Sequence, residues 1–195
     1  MASKFFALFS RMKYIDRWSL MRNTEKETLS HHSLETAAVA HALAVIGNTR
    51  LGKNYNADRV CVMGVSHDMP EIITGDMPTP VKYYNSEIRR AFGEIEKNTE
   101  KSLLEALPED IRPVYEGLIC SESSPDELHK LLKAADKISA LIKCIEERRA
   151  GNTEFDAAYD STLQAIRSLG CREAEIFLDE FMGAYSEPLD SLTKN

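Results

Sequence analysis

His67 and Asp68 stand side by side at the end of an apolar run, Val60-Cys61-Val62-Met63-Gly64-Val65, inside the stretch Ser66-His67-Asp68-Met69-Pro70-Glu71. Polar groups in such surroundings cost free energy unless something satisfies them. Glu71 lies four residues past His67 and three past Asp68, so a continuous helix would place all of them on one face. An imidazole and two carboxylates converging at a buried point suit a hard-to-borderline divalent cation. The farther carboxylate, Glu71, is then left for acid or base work. Directly behind lies Thr74-Gly75-Asp76-Met77-Pro78-Thr79-Pro80, a stiff loop that cannot be helix interior and that displays Asp76 rigidly.

Other candidates are weaker alone. Asp136, in Leu132-Lys133-Ala134-Ala135-Asp136-Lys137-Ile138, reads by itself as a surface aspartate paired to Lys133 or Lys137, because aspartate is rarely fully buried. His32 in a first helical turn reads as a surface histidine near the helix dipole. Together, His32, His67, Asp68 and Asp136 offer two imidazoles and two carboxylates from three helices, as metal sites in helical bundles commonly do. His41 on an apolar face is expected to be a core histidine. His129 either borders the site or is solvated at its helix start.

The elements that must position these residues are helical, since no stretch alternates convincingly as a strand. Phe5, Leu8, Phe9 and Met12 have the spacing of a short amphipathic helix, followed by the irregular Tyr14-Ile15-Asp16-Arg17-Trp18. Ser30 is a plausible cap for a helix with Leu34, Ala37, Ala38, His41, Ala42, Val45 and Ile46 on its apolar face, ending near Gly47-Asn48. Asn56 or Asp58 opens a helix through the central motif, kinked or opened at Pro70. Further helices are expected over 86–107, a turn over 110–117, a long helix from Ser124-Pro125-Asp126 to Gly151, and segments over 154–169 and 172–185. A polar tail from about residue 186 could be flexible. The expectation is an all-α chain, 1–195, forming one helical domain.

Composition sets outer bounds. With 195 residues there is enough chain for a sizeable core. A net charge of -7 and a pI near 5.3 argue against non-specific binding to nucleic acid or anionic membrane. Cys61, Cys120, Cys144 and Cys171 are far apart and read as reduced cytosolic thiols. No run reaches the length of a membrane span, so a soluble, cytoplasmic protein is expected.

His32, then His67-Asp68, then Asp136 resembles the metal signature of the HD-domain phosphohydrolases. Phe5-Phe6, Ser10-Arg11, Arg17-Trp18-x-Leu20-Met21-Arg22-Asn23, Thr74-Gly75-Asp76-x-Pro78-Thr79-Pro80-Val81-Lys82-Tyr83 and Gly151-Asn152-x-Glu154-Phe155 resemble the bacterial 5'-deoxynucleotidase subfamily. The likeness runs from about Phe5 to Phe155. It implies a single HD-domain-like helical bundle and a metal-dependent phosphatase for deoxyribonucleoside 5'-monophosphates. His32, His67, Asp68 and Asp136 would hold one divalent ion, with cobalt or manganese competence. One departure is His31, where an acidic residue commonly precedes the first ligand. It leaves metal preference open and raises a register ambiguity, which the family alignment resolves toward His32.

By the same resemblance, Arg17 would grip the phosphate with its planar fork and Trp18 would pack against the sugar near C2'. Met77, Pro78 and Thr79 would complete the sugar and base pocket, and Asp68, Asp76 and Asp136 would also touch substrate. Glu71 and Asp76 are the candidate acid and base, with the split between them open. An apolar wall rejects an added hydroxyl only about a hundredfold, so strong deoxy selectivity needs a further steric or backbone element. Homodimerisation follows from family analogy. Ile176, Phe177, Phe181 and Met182 could serve it or close the core, and Lys82, Tyr83 and Tyr84 could line the pocket mouth. The competing readings are hydrolysis of a ribonucleotide, cyclic dinucleotide or alarmone, and a non-catalytic helical interaction module.

Overall fold

The computed structural model describes residues 2–119 and 126–194. Its helices are α1 (Phe5–Phe9), α2 (Leu29–Arg50), α3 (Ala57–Ser66), α4 (Glu71–Thr74), α5 (Thr79–Lys82), α6 (Ser86–Glu105), α7 (Arg112–Ile119), α8 (Asp126–Arg149), α9 (Asp156–Ser168), α10 (Arg172–Phe181) and α11 (Leu189–Leu192). Short 3-10 turns cover Ser10–Tyr14, Thr153–Phe155 and Met182–Ser186. Among the described residues the only strand-like pairing is an isolated antiparallel bridge between Asp16 and Thr28. The chain is all-α. No helix of the described residues is long and apolar enough to cross a membrane.

α2 lies at the centre, against α3, α8 and α10. Its cap is Thr28, whose side chain accepts from His31 N, two residues before the expected Ser30. The buried face also differs from the expected one. Leu34 is 71% exposed and Ala38 and Val45 are exposed, while His32, Thr36, Ala37, Ala40, Leu43 and Ala44 face inward. The reason is backbone proximity. A Cβ on Gly64 of α3 would stand 2.6 Å from Ala37 Cα, so α2 turns small residues toward α3; Val39, Leu43 and Ile46 are buried in the core as well, and Leu34 and Val45 are left outside. Large side chains mark the core only where the helices stand far enough apart to hold them.

α3 is capped by Asn56, which accepts from Arg59 N at 2.9 Å, and it stops at Ser66 instead of running through the motif. Pro70 has no N–H for the Ser66 carbonyl. That carbonyl takes Met69 N at 3.1 Å, and the Asp68 carbonyl takes Glu71 N at 3.0 Å. His67 to Pro70 therefore form tight turns, and Glu71 opens the separate helix α4 rather than sharing a continuous helix face with His67. A second correction is α5, which forms inside the segment barred from helix interior. Pro80 is tolerated there because it sits in the first turn, where no N–H is required.

Asn85 caps α6, and Gly151, with φ +82, follows the end of α8. The expected helix start at Ser124-Pro125 and the thiol of Cys120 lie outside the described residues. Cys61, Cys144 and Cys171 are free.

Two apolar clusters flank the motif. The larger gathers Val39, Leu43, Val60, Met63, Leu131, Ile138, Leu141, Phe177 and Met182, among others. The smaller gathers Phe5, Met12, Leu29, Met69, Leu103, Leu104, Leu107 and Ile119. Met63 and Met69, on either side of His67-Asp68, belong to different clusters, so the motif lies at the seam between them. Phe177 and Met182 close the core, while Phe181 is exposed.

Candidate active site

At the seam, α2 contributes His32, the turn after α3 contributes His67 and Asp68, and α8 contributes Asp136. Ligand atoms of His32, His67 and Asp68 all lie within 4.8 Å of one another. His32 Nε2 is 3.5 Å from Asp68 Oδ2 and 3.1 Å from Asp136 Oδ1. His67 Nε2 is 3.2 Å from Asp68 Oδ2 and 4.0 Å from Asp136 Oδ1. His32 is fully buried and His31 is exposed; the register places His32 at the cluster.

The outer nitrogens of both rings fix what the inner ones can do. His67 Nδ1 lies 2.8 Å from the Gly64 carbonyl, which only accepts, so Nδ1 carries the proton. Ser139 donates to Glu35 Oε2 at 2.6 Å, and its oxygen is 3.0 Å from His32 Nδ1. With its own hydrogen committed, Ser139 accepts from Nδ1 of His32. Both Nε2 lone pairs then point at carboxylates, and His67 Nε2 is buried without a hydrogen-bond partner. Lone pairs facing lone pairs repel unless a cation sits between them. A proton can play that part. Burial opposes a charged His67 ring, yet Asp68 and then Asp136 lift its pKa to about 9. Burial likewise opposes the Asp68 anion, but His67, His32 and Arg17 hold its carboxyl far below the usual range. This nitrogen and oxygen donor set fits a divalent ion.

Glu71 lies next to this cluster. Its Oε2 is buried with no hydrogen-bond partner. Burial, then Asp68 and Asp76, push its carboxyl up to about 9 against the pull of Lys82 and Arg17. A divalent cation at Asp68 would offset part of that negative charge and lower the value, leaving Glu71 able to take or give a proton near neutrality.

Arg17 and Trp18 are held in a cradle. Trp18 has φ 59, a left-handed backbone that side-chain-bearing residues rarely adopt. Its N–H donates to Asp76 Oδ2 at 3.1 Å, and its carbonyl accepts from Asn23 Nδ2 at 3.2 Å. Its ring lies 5.3 Å from that of Phe155. Glu27 accepts from both Arg17 Nη1 and Trp18 Nε1.

Farther along the same segment, Asn152 donates to the Arg22 carbonyl and to Glu147, and Glu154 accepts from Arg22 N. Glu147 also accepts from Thr24 N and Thr24 Oγ1 and from Lys143 Nζ, while Lys143 donates to the Glu25 carbonyl. The separate motif segments around 17–25 and 151–155 therefore meet.

In front of this cradle opens a cleft of about 490 Å³, lined by Arg17, Trp18, Asp76, Met77, Pro78 and Thr79 together with Tyr83, Lys137 and a face of α9 that includes Ser161 and Thr162. Sequence reasoning did not single out Glu27, Glu35, Ser139, Glu147 or the α9 face. Several of these touch residues that carried the family likeness: Glu27 holds Arg17 and Trp18, Ser139 meets His32, and Glu147 meets Asn152. Of the side candidates, Tyr83 lines the cleft, Lys82 pairs with Glu96 at 2.9 Å and Tyr84 is exposed. His41 is half-exposed, 4.0 Å from Asp58, and not a core histidine. His129 Nε2 is buried without a partner.

Comparison with known proteins gives consistent findings. The family model for 5'-deoxynucleotidase YfbR-like proteins matches residues 4–185. The 5'-deoxynucleotidases YfbR of Escherichia coli strains ATCC 8739 and SMS-3-5 are each 43% identical over 196 residues, covering 99% of this chain and 97% of theirs. Among solved structures, an HD-domain phosphohydrolase from Listeria innocua matches with TM-score 0.81 at 23% identity, over 93% of this chain and 88% of its own. A cyanophage S-2L HD phosphohydrolase bound to dA and one catalytic Zn2+ ion matches with TM-score 0.59 at 18% identity, over 92% of each chain. These two likenesses are to the fold, which is that of HD-domain phosphohydrolases.

Proposed function

The chain belongs to the 5'-deoxynucleotidase YfbR-like family, and from that premise we propose that it hydrolyses deoxyribonucleoside 5'-monophosphates to deoxyribonucleoside and phosphate. In this reading His32, His67, Asp68 and Asp136 hold one divalent ion, with Co2+ or Mn2+ able to serve. Ribonucleotides are selected against. The observation that carries the reading is the double membership of Arg17. It lines the cleft, and its charge acts on Asp68, Asp136 and Asp76. A phosphate held by Arg17 is therefore beside the His/Asp cluster.

When bound, the ion supplies Lewis-acid polarisation of a phosphoryl oxygen and an acidified water. The chain's own residues do the rest. Arg17 has Nη1 committed to Glu27, and its remaining guanidinium donors are left for a phosphate oxygen. Water attacks phosphorus as the bond to the 5'-oxygen breaks; Glu71 takes the proton that the water loses, and a proton from Asp76 or solvent goes to the departing 5'-oxygen. Asp76, tied through Oδ2 to the Trp18 backbone, faces the leaving 5'-oxygen or the sugar. The anchored, left-handed Trp18 is the rigid backbone element that discrimination against a 2'-hydroxyl calls for, with Met77, Pro78 and Thr79 opposite it.

The reading carries with it one catalytic domain, a cytoplasmic setting and a homodimer; sedimentation would give the dimer's mass if the last is right. The functional test is phosphate release from dAMP, dTMP, AMP and a cyclic dinucleotide with added Mn2+ or Co2+. Turnover of the two deoxynucleotides well above AMP is expected. Equal turnover of AMP, or activity on the cyclic dinucleotide alone, would overturn it.

A further inference from the structure

Glu27 stands behind the cleft, 9% exposed, and is absent from the cleft lining. Its Oε2 accepts from Arg17 Nη1 at 2.7 Å and from Trp18 Nε1 at 2.9 Å, and its carbonyl accepts from Arg17 N at 2.9 Å. The adjoining bridge between Asp16 and Thr28 keeps the two segments antiparallel. One carboxylate oxygen thus fixes two neighbouring residues of different chemistry, a cation and an indole.

Neutralising Arg17 is one part of this arrangement: Glu27 is the carboxylate that acts most on its charge, ahead of Asp68, Asp136 and Asp76. The indole adds information. Trp18 has its N–H on Asp76, its carbonyl on Asn23 and its ring against Phe155, and the bond to Glu27 is what sets the rotation of that ring. We propose that Glu27 is a positioning residue that couples the phosphate grip of Arg17 to the sugar discrimination of Trp18. The inference rests on the substrate class proposed above. A single rigid acceptor holds the guanidinium and the ring in one register. A sugar that displaces the ring then also displaces the phosphate clamp, so misfit at C2' lowers turnover as well as binding.

The test uses the full chain, loaded with Mn2+, and the variants Glu27→Gln and Trp18→Phe. kcat/KM is measured for dAMP, AMP and p-nitrophenyl phosphate, a monoester without a sugar. Glu27→Gln should lower turnover of all three at least tenfold and also shrink the dAMP/AMP ratio at least tenfold. Trp18→Phe, which keeps a ring but lacks the N–H, should shrink the dAMP/AMP ratio at least tenfold as well. The chain has one tryptophan, so its emission reports Trp18 alone. Acrylamide quenching should rise at least twofold in Glu27→Gln. An equal fall for dAMP and AMP with unchanged quenching would reduce Glu27 to a structural role and overturn the coupling. If Glu27→Gln does not fold, an unchanged ratio in Trp18→Phe overturns it instead. A wild-type chain that ignores dAMP defeats the substrate assignment, whereas the quenching comparison still speaks to the Glu27–indole bond.

Discussion

Ser139 stands between Glu35 and His32 and decides which nitrogen of that imidazole faces the ligand side. Burial, opposed by the Ser139 hydrogen bond, brings Glu35 to about 7, so the relay ends in a carboxyl that is easily perturbed. Hydrogen-bond partners behind a ligating histidine are commonly worth 10–100-fold in metal affinity. Ser139→Ala should therefore weaken Mn2+ binding by about that factor, read by calorimetric titration, and Ser139→Thr should restore much of it. Glu71→Gln keeps the shape of the side chain and removes its proton chemistry. It should lower kcat by at least about 10²-fold with metal affinity nearly unchanged; a wild-type kcat would remove Glu71 from the reaction. The meeting of His32, His67, Asp68 and Asp136 was legible as a set that resembles a family signature, since His32 and Asp136 taken singly read as surface residues. Ser139, Glu35 and Glu27 carried no such signal, because a lone serine or glutamate has no spacing that marks it as the partner of a distant imidazole or indole.

Between elements, the contact of α2 with α3 sets the separation of His32 from His67. Gly64 permits it, and a methyl there would meet Ala37. Gly64→Ala should cost about 1–3 kcal/mol and weaken metal binding as the helices part, both visible in melting curves with and without Mn2+. Glu147 plays a similar part for the segment carrying Arg17 and Trp18. Burial would raise its carboxyl, but Lys143, Asn152 and Thr24 pull it down to about 2, against an unfolded value of about 4.3. A folded value below the unfolded one gives stability that is present above about pH 4.3 and is lost as pH falls toward 2. Glu147→Gln should thus destabilise the chain by roughly 3 kcal/mol at pH 7, and denaturant titrations should show the gap closing between pH 4.3 and 2. A gap independent of pH would contradict the assignment. Helix locations were readable from periodicity and proline, as α6 and α8 show. The buried face of α2 was not, since that helix is apolar on most sides and only the approach of α3 selects its small residues.

The whole molecule joins its two apolar clusters at the place where His32, His67, Asp68 and Asp136, the proposed ligands, meet. An ion bound there would bridge elements of both, and at a hundred times its Kd would add about 2.7 kcal/mol to stability. The acidic chain, at net charge -7, repels anions at long range, so a phosphate ester must be captured by local cations, of which Arg17 and Lys137 line the cleft. That arrangement makes the metal requirement the centre of the account. The most direct test is phosphate release from dAMP by the chelator-stripped chain as Mn2+ is added back, with Asp68→Ala run alongside. Activity should be absent at the start, rise to a plateau at one ion per chain, and stay absent in Asp68→Ala. Undiminished release from the stripped protein, or from Asp68→Ala, would contradict it.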